Sequence, residues 1–206
     1  MAFENLVGQK QIKSKLNFYI DVHKTTKTVP FLNFIGARGL GKTAYAREFS
    51  NHLKDSNGNK KIFIEINSST IKSVTQFLEQ IFIPHIQDKE VIVLFDECHA
   101  LPDSLIYTLL TVLNTEKHTT RSYKAGDEEY EFDFKKHHFL FATTESHALF
   151  PPLRDRLTVV EFSDYSIDDL KDIFKSYLDG YTFTDESIQM IAETSRGNAR
   201  SCILRA

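Results

Sequence analysis

Gly36, Ala37, Arg38, Gly39, Leu40, Gly41, Lys42 and Thr43 fit the pattern GxxxxGK followed by Ser or Thr. Such a segment can wrap phosphates. Glycines let backbone N–H groups close on the anion, and a helix N-terminus adds partial positive charge. Lys42 is placed to reach β- and γ-phosphates, and the Thr43 hydroxyl to ligate Mg²⁺. The alternative is a chance glycine turn; four specified positions arise by accident in a chain this long about once in a hundred. A second pair, Asp96 and Glu97, ends the apolar run Val91, Ile92, Val93, Leu94 and Phe95. Asp96 would hold Mg²⁺, usually through water, while Glu97 would orient and deprotonate an attacking water. Alone, such a pair could equally cap a helix. Downstream of a phosphate loop, the chemical reading wins.

These residues need a strand before each loop and a helix after the first. Runs rich in β-branched or aromatic residues predict strands at 31–35, 62–66, 91–95, 139–143 and 159–162. Three are nearly all apolar, as in a parallel sheet buried on both faces. Helical patterns at 43–53, 71–83, 103–113 and 146–156 alternate with them, which predicts an α/β fold with the sheet between helices. Asp96 and Glu97 then fall at the C-terminal edge, where open α/β sheets bind ligands. After 162 the pattern is helical only. Ser166, Asp168 and Asp169 open one helix, Thr184 another, and Asn198 a third that stops at Ala206. The expected division is an α/β core at 1–162 and a small all-α lid at 163–206. The lid stops in mid-pattern, as in a fragment or an unusually short natural version.

With 206 residues, 41% of them hydrophobic, the chain can bury one good core. Its longest apolar runs are strand-sized, too short to span a bilayer, and its first residues lack a secretory pattern. Cys98 and Cys202 have neither disulfide-framework nor metal spacing and read as reduced thiols of a cytoplasmic protein. A net charge of −3 excludes a domain-wide electrostatic trap for nucleic acid, so DNA binding would need a local basic patch or a ring of subunits.

The ordered motifs resemble AAA+ P-loop ATPases over nearly the whole chain, and most closely the RuvB-type Holliday-junction branch-migration motors. Phe3 to Gln9 is similar to the segment that packs on adenine there, typically followed by a basic helix. Gly39 to Thr43 and Asp96 to His99 resemble the two Walker motifs. Phe141 to Thr144 looks like sensor 1, Pro152 to Arg156 like the arginine-finger segment, Tyr165 to Leu170 like the lid start, and Arg196 to Arg200 like sensor 2. The resemblance implies a five-stranded parallel sheet and an ATP/ADP pocket. That pocket would be made by Val7, Gly8, Gln9, residues Gly36 to Thr43, Ala44, Tyr165 and Arg200, with Mg²⁺ on Thr43 and Asp96.

It also implies catalytic roles. Thr143 or Thr144 would sit beside the γ-phosphate and bind the attacking water; strand alternation cannot choose between them. Arg156, with Arg154 as the alternate, would reach a neighbouring subunit's site and stabilise charge on the transferring phosphoryl group. Both could instead be solvated surface arginines. Arg200 would contact its own γ-phosphate and couple lid angle to nucleotide state. Tyr165 would stack near the base or serve as a core or hinge residue. Asn67 would hold Glu97 away from the reaction until a partner binds.

Residues 119–138 read as a hairpin around Ala125, Gly126 and Asp127. RuvB-type proteins carry a partner-docking hairpin at this place. This one is more acidic and lacks the expected apolar tip, so a solvated surface hairpin is the competing reading. His137 and His138 begin a strand, point to opposite faces and lack metal-ligand spacing; they read as surface residues.

The resemblance implies an ATPase acting on branched or duplex DNA as a homo-oligomeric ring, with a hexamer favoured. RuvB-type motors also carry a C-terminal winged-helix domain, for which this chain has no sequence. The alternatives are a clamp-loader or helicase-loader subunit and a regulatory module that binds ATP with negligible turnover. Intact Lys42, Asp96, Glu97 and finger arginines argue against the last.

Overall fold

The computed structural model describes residues 2–113, 119–177 and 183–205. Five parallel strands form the main sheet: β1 (Leu32–Ile35), β2 (Ile62–Asn67), β3 (Val91–Asp96), β6 (His137–Thr143) and β7 (Thr158–Glu161). Their order is β2-β3-β6-β1-β7. All five lie within two residues of the sequence expectation. The remaining strands, β4 (Thr120–Ala125) and β5 (Glu128–Asp133), make an antiparallel hairpin.

Period-two alternation sends successive side chains to two cores. Val91, Val93, Phe95, Phe139 and Phe141 face one layer with Phe77, Leu105 and Leu109. Ile92, Leu94, Leu140 and Ala142 face the other with Leu16, Tyr45 and Phe49. The helices follow accordingly. From β1 the chain enters α2 (Lys42–Asn51) on the second layer, whereas beyond β3 it enters α5 (Asp103–Val112) on the first. Connections leaving β1 and β3 to opposite faces open a crevice over the strand between them, β6. The phosphate loop, Asp96 and Thr143 end these three strands.

Helix α1 (Lys10–Thr26) was foreshadowed only by the family resemblance. It seats Ile12, Leu16, Ile20 and His23 on the sheet. The predicted helix at 71–83 is broken into α3 (Val74–Phe77), a π-helical turn at Leu78–Phe82 and α4 (Ile83–His85). Pro84 lacks an N–H and crowds the preceding turn, so the wider turn accommodates it. The expected helix at 146–156 shortens to a 3₁₀ turn at Ser146–Ala148 and α6 (Pro151–Arg154). Prolines 151 and 152 are tolerated only in a helix's first turn.

The surface reading of His137 and His138 is overturned: they are 1% and 2% exposed. They do point to opposite faces, but both faces are covered. His137 lies edge-on to Phe82 and contacts the Gln87 carbonyl; His138 lies edge-on to His23 of α1. The hairpin is half-buried, not solvated throughout. Tyr130 and Phe132 pack on Phe82, while Ser122, Lys124, Glu129 and Glu131 face water around the polar Gly126–Asp127 turn.

The C-terminal helices are α7 (Ile167–Tyr177), α8 (Asp185–Thr194) and α9 (Ala199–Leu204). Thr184 and Asn198 cap α8 and α9 by accepting from Ser187 N and Ser201 N. At the head of α7, Ser166 and Asp169 exchange bonds as a capping box. Leu170, Phe174, Ile188, Ala192 and Cys202 join the core layer that holds Tyr45 and Phe162. No helix among the described residues is long and apolar enough to cross a membrane.

Candidate nucleotide site

The loop between β1 and α2 turns on three glycines at positive φ: Gly36 at 155°, Gly39 at 87° and Gly41 at 92°. A Cβ on Gly39 would stand 2.4 Å from Asn198 Oδ1, so only glycine fits there. Helix α2 starts with neither a side-chain cap nor an acidic residue in its first turn. Its leading N–H groups therefore lack the usual local acceptor, and an anion is the natural complement.

Lys42 is 7% exposed, and its ammonium bonds the carbonyls of Gly36 and Ala37 at 2.8 and 3.0 Å. Burial lowers its pKa, opposed by Glu97 and Asp96. Across the crevice, Asp96 Oδ1 accepts from the Glu97 amide at 3.0 Å. Glu97 lies in the left-handed region, φ 50° and ψ 49°, a turn that re-aims its side chain as β3 ends. Thr144 Oγ1 donates to Glu97 Oε2 at 3.0 Å. Thr143 is wholly buried, 2.8 Å from His99 Nδ1, and accepts from Glu145 N at 2.9 Å. Strand alternation thus gives the two threonines different surroundings, one toward Glu97 and one into a packed network.

One cleft of about 1160 Å³ takes in Arg38, Gly39, Gly41, Lys42, Thr43 and Ala44 together with Val7, Asn67, Asp96, Glu97, Tyr165 and Arg200. Gly36, Ala37 and Leu40, expected at the pocket, do not line this cleft: Ala37 is exposed, and Leu40 is packed into the core layer with Tyr45. Gly8 and Gln9 do not reach the cleft: a Cβ on Gly8 would meet the Tyr165 ring at 2.9 Å, and Gln9 bonds Ser163 O at 2.6 Å. Tyr165 is itself buried, donates to Leu40 O at 3.0 Å, and has its pKa pushed up by burial to about 12. That surrounding favours the hinge reading of Tyr165 over the base-stacking one. Asn67 caps the turn at Ser68–Thr70 and accepts from Ser69; no bond joins it to Glu97 among the described residues. Arg154 and Arg156 are exposed and lie outside the cleft, with Arg156 returning to Pro152 O at 2.8 Å.

The sequence reading missed several contributors. Ile173, Tyr177, Ile203 and Leu204 give the cleft an apolar wall suited to a purine. Only the amphipathic spacing of α7 hinted at it. His99 stood inside a quoted motif without a role, and Asn198 was read only as the start of the last helix. Taken together, the open α2 N-terminus, the paired acids and the apolar wall fit a purine nucleotide with a divalent cation.

The pattern of the ATPase family associated with various cellular activities (AAA) matches residues 32–165. The chain is 25% identical over 211 residues to a Holliday junction branch migration complex subunit RuvB of Mycoplasmopsis synoviae (strain 53), covering 96% of this chain and 61% of that protein. It is 28% identical over 209 residues to the RuvB subunit of Rickettsia africae (strain ESF-5), covering 96% and 56%. The Replication factor C small subunit of Thermoplasma volcanium is 25% identical over 207 residues, covering 98% and 59%. The fold matches a solved structure of the Thermotoga maritima RuvB branch migration motor at a TM-score of 0.77, with 22% identity, 96% of this chain and 60% of that one. The chain thus spans about three fifths of the length of these relatives.

Proposed function

The chain belongs to the AAA family of ATPases, and from that premise we propose that it hydrolyses ATP in this cleft and uses the energy on DNA as a ring of identical subunits, a hexamer favoured, in the cytoplasm. The observation that carries the proposal is the meeting of Lys42, Asp96 and the Thr144–Glu97 pair over β6, beside an uncapped helix N-terminus.

In this reading the backbone of Gly39 to Thr43 binds the phosphates, and Lys42 trades its loop carbonyls for β- and γ-oxygens. Mg²⁺, when bound, neutralises phosphate charge; Thr43 and Asp96 would hold it. Glu97, oriented by Thr144, takes the proton of the attacking water. Thr144 suits the sensor role better than Thr143, whose hydroxyl is committed to His99 and Glu145 N. Arg200 lines the same cleft and would meet the γ-phosphate. Arg156, exposed and away from its own cleft, suits action on a neighbour's phosphate, with Arg154 as alternate. The division into a core at 1–162 and a lid at 163–206 belongs to the same proposal.

The two RuvB relatives favour branch migration or a related motor activity. The Replication factor C relative favours a second reading, a loader that assembles proteins on DNA. For a protein partner, the half-buried hairpin offers a polar outer face in place of an apolar tip. Steady-state ATPase activity with no DNA, duplex DNA and four-way-junction DNA, with assembly followed by light scattering, separates the readings. Stimulation by DNA with ring formation supports the motor. Turnover indifferent to DNA but triggered by a ring-shaped clamp protein supports the loader.

A further inference from the structure

Three successive peptide units of the phosphate loop have their carbonyls held by the C-terminal part of the chain. Asn198 Nδ2 donates to Arg38 O at 2.6 Å, Arg200 N to Gly39 O at 3.2 Å, and Tyr165 Oη to Leu40 O at 3.0 Å. In a trans peptide the C=O and the next N–H point in opposite directions, and there is no cis bond among the described residues. Fixing these carbonyls toward α9 and Tyr165 therefore turns the N–H groups of Gly39, Leu40 and Gly41 the other way, into the concavity of the loop.

Asn198 is the key side chain. Its Oδ1 caps α9 by accepting from Ser201 N at 2.9 Å while its Nδ2 holds the loop, so one amide ties helix to loop. The fit is close enough to exclude any side chain at Gly39.

The geometry points to Asn198 as a positioning residue that orients the phosphate-binding N–H groups before nucleotide arrives. This inference rests on the nucleotide reading above and adds a route by which movement of the C-terminal helices loosens phosphate. When α9 swings away, the carbonyls of Arg38 and Gly39 lose their donors together, Leu40 keeps only its bond from Tyr165, and the loop loses its preset shape. Pre-orientation of this kind strengthens binding by removing an ordering cost.

Asn198→Ser separates the clasp from the cap. Serine still caps a helix but is too short and lacks the amide donor for Arg38 O. The measurement is the dissociation rate of a fluorescent N-methylanthraniloyl-ADP by stopped flow, alongside thermal unfolding, for wild type, Asn198→Ser and Asn198→Ala. Expected for the serine variant is a dissociation rate raised about fivefold or more, the worth of one hydrogen bond, with a melting temperature between those of wild type and Asn198→Ala because the cap is kept. Asn198→Ala should show the same faster release together with a lower melting temperature. An unchanged rate in Asn198→Ser, or a rate that rises only in step with lost stability, overturns the inference while leaving the nucleotide reading intact. Failure of the wild-type protein to bind the ADP analogue would instead overturn the nucleotide reading and the inference resting on it.

Discussion

Thr144 Oγ1 donates to Glu97 Oε2 at 3.0 Å, joining the end of β6 to the end of β3 across the mouth of the cleft. One residue earlier, Thr143 faces inward to His99. Adjacent threonines therefore divide two tasks, and substitution should separate them. Thr144→Val should lower kcat about tenfold, one hydrogen bond's worth of orientation, with nucleotide affinity nearly unchanged. Thr143→Val should cost about 1–3 kcal/mol of stability, because the Glu145 amide and His99 lose a buried partner. Steady-state kinetics and denaturant unfolding check the two. A stable Thr143→Val with lost turnover would reverse the assignment.

Arg156→Ala should leave ATP binding intact and reduce hydrolysis by a pure assembly about a thousandfold, as for an arginine supplied in trans. Mixing it with Lys42→Ala subunits should restore part of the activity through mixed interfaces. Equal loss of binding in Arg156→Ala, with no rescue on mixing, would mean the arginine acts in its own subunit or is structural.

The buried histidines set an acid limit. Burial lowers the His23 pKa to about 4, with Lys61 and Lys27 adding to the effect and Glu90 opposing it. His138 is driven well below its ordinary value by burial and by Lys61. Their rings stand edge-on, 5.2 Å between centroids. The unfolded chain binds protons on these rings below about pH 6.5 and the native chain does not. Stability is therefore full well above pH 6.5 and falls as the pH drops toward 4, by about 3 kcal/mol from His23, with His138 acting in the same direction. Urea unfolding between pH 7.5 and 4.5 should show this slope, and His23→Leu should flatten it. A wild-type slope of zero across that window would contradict it.

The site was legible where chemistry is local. Gly36 to Thr43 and Asp96–Glu97 are contiguous patterns, and the strands that carry them are apolar enough to be found within two residues. What escaped depends on contacts distant in sequence. Nothing near His138 announces that His23, 115 positions earlier in the chain, will cover it. Asn198 is separated from Arg38 by 160 positions and reads locally as a helix cap alone. Helix α1 was hard to find because its buried positions are only Ile12, Leu16, Ile20 and His23 in 17 residues. The break in the helix at 71–83 was signalled by Pro84, but the wide turn that absorbs it has no sequence pattern of its own. Thr143 and Thr144 could not be told apart because only the packed end of β6 gives the strand a direction at its last residue.

The most direct test of ATP hydrolysis at this cleft is single-turnover phosphate release in Mg²⁺, comparing wild type with Glu97→Gln at equal nucleotide occupancy. Expected is release by the wild-type protein and a loss of at least about a hundredfold in Glu97→Gln, with ATP still bound. Equal release by the two proteins, or none by either when the site is saturated, would contradict a hydrolytic role for the Glu97–Thr144 pair.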